Sequence, residues 1–173
     1  KSERVSEIFS SVLVMTTDLE RLQVLSTEIS ELLAHAPPLV EADIVHYNAH
    51  LAVHELCVNI IKHAYEGGPG NFTLTLSLSD DPWRVEAFTT DQGHQPFSLA
   101  NWTPPNLDDL PVHGLGIFLI RNLMDEVHCT TNADGNRWHL VKRLQLAEGE
   151  APGETNAARP DGSAAHSTPA EAQ

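Results

Sequence analysis

Apolar positions recur along this chain with two different periods, and the changes of period divide it into elements. Residues 11–16 read Ser-Val-Leu-Val-Met-Thr, a short β-rich run. Over residues 19–36 the period becomes helical through Leu19, Leu22, Val24, Leu25, Ile29, Leu32 and Leu33. Thr17 and Asp18 are candidate N-caps, and Pro37 and Pro38 end that helix. A second helix is predicted from about Glu41 to Tyr65, stopped by Gly67-Gly68-Pro69-Gly70. Residues 71–79 then alternate, with Phe72, Leu74, Leu76 and Leu78 on one side, which predicts a half-buried antiparallel strand. Asp80-Asp81-Pro82 is a turn, and residues 83–90 return as a second strand. Residues 92–111 form a long polar loop with four prolines. Residues 114–123 predict a helix, and 127–131 with 137–144 a final hairpin.

Helices followed by strands, with one helix set between two hairpins, imply an α+β fold. The expected architecture is a two-layer sandwich, a mostly antiparallel sheet with helices on one face. The loop at 92–111 is too long for a simple connector, and loops of that length in compact domains serve as lids or binding elements.

Composition changes after Leu146. Residues 147–173 contain no Val, Ile, Leu, Met, Phe, Tyr or Trp and hold five acids against Arg159. Such a segment cannot bury enough surface to offset its ordering entropy, so it is expected to be a disordered tail behind a domain at 1–146. Of the formal charge of −14, the tail carries −4 and the domain −10. Three Lys and seven Arg scattered along the chain offer no basic patch, which disfavours nucleic acid and anionic membrane surfaces as partners. No apolar run is long enough to span a bilayer and no signal pattern opens the chain. It begins at Lys1, as a domain cut from a longer protein would. Cys57 and Cys129 form no CxxC pair and read as reduced thiols of a cytoplasmic protein.

Three places carry candidate chemistry. On the second helix Val53, Leu56, Cys57, Ile60, Ile61 and Ala64 form a core-facing stripe, while Glu55, Asn59, Lys62 and His63 fall together on another face. Residues four apart stand about 5–6 Å from each other at Cβ. A carboxylate there can take a proton from an attacking hydroxyl, an Asn carbonyl can serve a magnesium ion, and Lys62 and His63 can meet phosphate charge. Asp91-Gln92-Gly93 closes the second strand, where a carboxylate can accept from the exocyclic amine of adenine and the glycine leaves the backbone open to a ligand. His113-Gly114-Leu115-Gly116 opens an apolar helix, whose free N–H groups make an anion site. Neither a P-loop nor a dinucleotide fingerprint is present.

In that order, these features resemble the GHKL ATPases, which share the Bergerat ATP-binding fold. The runs at 55–65 and 114–127 are similar to the bacterial anti-sigma factor serine kinases of partner-switching systems. The resemblance spans about residues 11–144. It implies ATP and Mg²⁺ as cofactors. Glu55 would then be the catalytic base for a serine hydroxyl, and Asn59 would ligate Mg²⁺. Lys62 and His63 would lie near the phosphates, Asp91 at the adenine amine and Gly93 beside the ring. His113, Gly114, Leu115 and Gly116 would cradle phosphate, with residues 92–113 as the ATP lid. The implied partners are a sigma factor, an anti-sigma factor antagonist phosphorylated on serine, and a second copy of the chain. Here Gln95 stands where the family's D-x-G-x-G motif has its second glycine. The alternatives are a nucleotide-gated module that binds partners without catalysis, or the kinase-like end of a longer regulator.

Ten histidines offer a competing chemistry. His46, His50 and His54 follow one another at four-residue spacing, and two such histidines can hold zinc. No HExxH order or suitably spaced third ligand accompanies them, so a structural role is expected.

Overall fold

The computed structural model describes residues 6–93, 97–109 and 115–148. Five strands form one fully antiparallel sheet: β1 (Ser6–Thr16), β2 (Asn71–Asp80), β3 (Arg84–Asp91), β4 (Glu126–Asn132) and β5 (Gly135–Arg143), in the order β1-β2-β3-β5-β4. Three helices, α1 (Val24–Ala34), α2 (Ala42–Asn59) and α3 (Leu115–Leu123), complete an α+β sandwich.

Strand alternation sets the inner face. Rows run across the sheet through Leu13, Leu74, Thr89, Trp138 and Cys129, and through Ser11, Leu76, Ala87, Leu140 and Val127. Leu25, Ile29 and Leu32 of α1, Val53, Leu56 and Cys57 of α2, and Ile117 and Ile120 of α3 are buried in the same cluster as Leu74, Leu76, Leu78 and Leu140. Burying each large aliphatic side chain contributes roughly 1.5–3 kcal/mol, and this shared core holds the helices to the sheet. The opposite face carries Val12, Val14 and Phe88, which are exposed.

Several predicted boundaries move. The first strand starts at Ser6 rather than residue 11, because β2 is long enough to pair with it from Thr16 back to Ser6. The first predicted helix begins as a 3₁₀ turn over Leu19–Gln23 and becomes α-helical at Val24. Asp18 caps it by accepting from the Glu20 N–H at 3.0 Å, which tightens that turn. The final hairpin turns on Ala133 and Asp134 alone, since Asn132 already pairs with Gly135. Leu39 bridges to Leu146, and the Ala147 N–H donates to the Pro38 carbonyl at 2.9 Å, so backbone pairing continues to the end of the predicted domain. Residues 149–173, most of the predicted tail, lie outside the described residues.

The second predicted helix holds its α-helical form only to Asn59. Ile60–Ala64 is a π-helical turn, in which the Tyr65 N–H reaches the Ile60 carbonyl at 3.3 Å. A π turn takes more residues per revolution than an α turn, and such turns collect at functional sites.

Candidate functional site

At one end of the sheet a lateral row is polar where its neighbours are apolar. The register places Asp91 opposite Asn136, and Asn136 opposite Thr131. Asp91 is 1% exposed and Asn136 2%. Asn136 Nδ2 donates to Asp91 Oδ1 at 3.2 Å, and the Gly93 N–H donates to the same oxygen at 3.0 Å. Asp91 Oδ2 is buried and has no hydrogen-bond partner among the described residues. An unsatisfied buried carboxylate oxygen costs on the order of 1–3 kcal/mol or more, and an external N–H donor would remove that cost.

The cleft in front of that oxygen is lined by Asn59, Ile60, His63 and Ala64 from the end of the second helix. Asp91, Asn136, Trp138 and Phe97 line the other side. A carboxylate beside the apolar side chains of Ile60, Ala64, Phe97 and Trp138 suits a flat heteroaromatic ring with an exocyclic amine. Phe97 and Trp138 set their rings 5.0 Å apart at 39°.

Two glycines make the close approaches possible. Gly135 has φ +132°, and a Cβ on it would fall 1.8 Å from the Asp91 carbonyl oxygen. Only glycine lets β5 start this close to Asp91 and so deliver Asn136. Gly93 was expected to leave room for a ligand. The space where its side chain would stand is filled instead by Ala64, with Cβ and carbonyl oxygen each 2.4 Å away. Gly93 therefore seats the loop after Asp91 against the π turn. Tyr65 secures the same junction: its hydroxyl donates to the Asn71 carbonyl at 2.5 Å and accepts from the Gln92 N–H at 3.0 Å.

Glu55 and Asn59 stand one turn apart on α2, both half-buried, as the spacing predicts. The start of α3 meets them: a Cβ on Gly116 would lie 3.2 Å from Glu55 Oε2. The acid of α2 thus faces the first turn of α3, where Leu115 and Gly116 sit and where the backbone N–H groups of a helix start have no intrahelical acceptor. His113 and Gly114 lie outside the described residues. His63 lines the cleft, but Lys62 is not among its lining residues and is exposed. The expected convergence of Lys62 with Glu55 was counted on α-helical spacing, and Lys62 lies within the π turn.

The predicted lid carries short 3₁₀ turns at Leu99–Asn101 and Leu107–Asp109. It is anchored at two points. Phe97 is held by Asn136 and Thr131, and the Arg121 guanidinium of α3 lies 5.6 Å from the centre of the Trp102 ring, a cation–π contact. Asn136, Thr131, Trp138, Phe97 and Gly135 were not singled out in the sequence. Their only sequence signal is a glycine at a hairpin turn, which has an ordinary explanation.

One member of the histidine run joins two helices. His46 Nε2 lies 2.9 Å from Ser30 Oγ and 3.0 Å from the Ser26 carbonyl oxygen, tying α2 to α1. The rings of His50 and His46 are 6.0 Å apart, those of His50 and His54 6.2 Å. Among the described residues no group of three or more His, Cys, Asp or Glu is placed to hold a metal ion.

A model of the histidine kinase-like ATPase domain matches residues 15–142, and the chain belongs to that family. It is 34% identical over 110 residues to the serine-protein kinase RsbW of Bacillus cereus strain G9842, covering 60% of this chain and 67% of that one. It is 40% identical over 107 residues to the RsbW of Halalkalibacterium halodurans, covering 57% of this chain and 62% of that one. Among solved structures, the RsbU and RsbW domains of Rv1364c from Mycobacterium tuberculosis share the fold, with TM-score 0.56 and 16% identity. That match covers 81% of this chain and 35% of the other. No helix among the described residues is long and apolar enough to cross a membrane.

Proposed function

We propose that this chain is an ATP-dependent serine kinase acting on a protein antagonist, and that it holds a sigma factor in its other state. The observation that carries the reading is the buried Asp91 Oδ2, without a hydrogen-bond partner among the described residues, on a residue that lines one cleft with Asn59 and His63, and Glu55 stands one helical turn from Asn59. The residues present fit ATP. Asp91 Oδ2 supplies the acceptor for the adenine amine, His63 adjoins the phosphate end, and Leu115 and Gly116 offer backbone N–H groups to the phosphates. The side-chain carbonyl oxygen of Asn59 would hold Mg²⁺, which would neutralise phosphate charge there. Bound Mg·ATP supplies the phosphoryl group. Glu55 receives the proton of the substrate serine hydroxyl, and the α3 dipole favours the negative charge beside it.

RsbW, the name borne by the relatives, belongs to serine-protein kinases, and this supports a serine on a protein as the acceptor. The partners are a sigma factor, its antagonist and a second copy of the chain, acting in the cytoplasm. The exposed sheet face, where Val12, Thr75 and Phe88 lie in one row, supports the homodimer. The tail from 147 onward is an appendage outside this chemistry.

The test is a calorimetric titration of ATP and ADP with and without Mg²⁺, followed by transfer of label from γ-labelled ATP to a candidate antagonist. Mg²⁺-dependent binding with label on serine is the expected result. A stable antagonist complex without transfer would make the chain a nucleotide-gated binding module. Absence of nucleotide binding would overturn the reading altogether.

A further inference from the structure

The polar row at the sheet end does more than present Asp91. Thr131, Asn136 and Asp91 are lateral neighbours on β4, β5 and β3, and a chain of hydrogen bonds joins them. Thr131 Oγ donates to Asn136 Oδ1 at 2.7 Å, and Asn136 Nδ2 donates to Asp91 Oδ1 at 3.2 Å. The same two side chains hold the backbone of Phe97. Its N–H donates to Asn136 Oδ1 at 3.4 Å, and its carbonyl lies 2.8 Å from Thr131 Oγ. One hydroxyl hydrogen serves two acceptors, Asn136 Oδ1 and the Phe97 carbonyl, so it divides between the carboxamide and the loop.

We infer that Asn136, oriented by Thr131, is a positioning residue that couples the placement of the Asp91 carboxylate to that of the chain at Phe97. The inference rests on the reading of the cleft as an adenine site. A carboxamide has a fixed plane: with Oδ1 turned to Thr131 and Phe97, Nδ2 must face Asp91. Asp91 Oδ1 is thereby engaged on the sheet side, and Oδ2 is the oxygen left for the cleft. A donor arriving at Oδ2 restrains the carboxylate. Through Nδ2 it restrains the carboxamide, and through Oδ1 the Phe97 N–H. Networks of this kind strengthen as a unit in low-dielectric surroundings. Phe97 in turn lines the cleft with its ring against Trp138, so the segment that the network holds is itself a wall of the site.

The experiment measures ATP affinity by calorimetry and, separately, hydrogen exchange of the peptide containing residues 97–101, with and without ATP. The full chain is used, as wild type, Asn136→Ala, Thr131→Val and Thr131→Ser. In the wild type ATP is expected to slow exchange at Phe97. Asn136→Ala is expected to weaken ATP about tenfold, through loss of its hydrogen bond to Asp91, and to abolish the ATP-dependent protection. Thr131→Val keeps the side-chain shape but removes the hydroxyl that orients Asn136, so it is expected both to weaken ATP by several-fold and to lose the ATP-dependent protection at Phe97. Thr131→Ser restores the hydroxyl and is expected to restore the protection. Because the key readout is the difference made by ATP within each variant, a general loss of stability does not imitate it.

Wild-type protein that binds ATP without any change at Phe97 would overturn the coupling. So would variants that keep both wild-type affinity and ATP-dependent protection. Wild-type protein that binds no ATP would overturn the adenine reading first, and this inference with it.

Discussion

Glu55 Oε2 stands 3.2 Å from the point where a side chain on Gly116 would begin. The acid of α2 and the first turn of α3 therefore share one small space, although sixty residues of chain, the whole β2–β3 hairpin included, separate them. The contact places a proton acceptor beside backbone N–H groups that favour anions. It also makes a sharp division of labour testable. Glu55→Gln keeps the shape and removes the base. Label transfer to the antagonist is expected to fall about 10²–10⁴-fold, while calorimetric ATP affinity stays within about threefold of wild type.

Asp91→Asn should separate binding from stability. The carboxylate oxygen left without a partner costs the fold stability, and an amide is cheaper to desolvate than a carboxylate. The variant is expected to melt at or above the wild-type temperature, yet to bind ATP at least about tenfold more weakly. A variant that melts early and binds ATP normally would reverse the assignment.

Gly135→Ala tests the approach of β5 to β3. A methyl group 1.8 Å from the Asp91 carbonyl oxygen cannot be accommodated without moving one strand, and φ +132° is itself strained for alanine. Urea unfolding is expected to show a loss of about 2 kcal/mol or more. ATP affinity should fall as well, because the shift displaces Asn136.

The His50 imidazole gives a pH dependence with a definite sign. Burial, and then the neighbouring His46 and His54, hold it below its ordinary value of 6.5. The unfolded chain therefore takes up a proton at higher pH than the folded one. Stability from this group is full above the ordinary histidine range and is lost as pH falls through 6.5 toward the lowered value. His50→Gln is expected to flatten the decline in melting temperature between about pH 7.5 and 5.5 relative to wild type.

Much of this was legible in the order of residues. The stripe from Val53 to Ala64 is buried as its spacing required, because a helix must turn one face to the core whatever it packs on. The alternation of Phe72, Leu74, Leu76 and Leu78 set the inner face of β2 for a similar reason. Glu55 and Asn59 needed only the i, i+4 rule. Lys62 shows where such reasoning stops. Its place was counted on an α-helical wheel, but Lys62 is exposed within a π turn that carries no local signature in Ile60-Ile61-Lys62-His63-Ala64.

The sequence by itself determined the elements, their buried faces and the acid–amide pair, since these follow from periodicities of 3.6 and 2 that operate within a few residues. Only the tertiary structure decided that Thr131, Asn136 and Asp91 form one row, that Gly135 is crowded against the Asp91 backbone, and that Glu55 meets Gly116. Strand register and helix docking arise from contacts between residues far apart in the chain. They depend on how the whole core closes, and no local pattern encodes that.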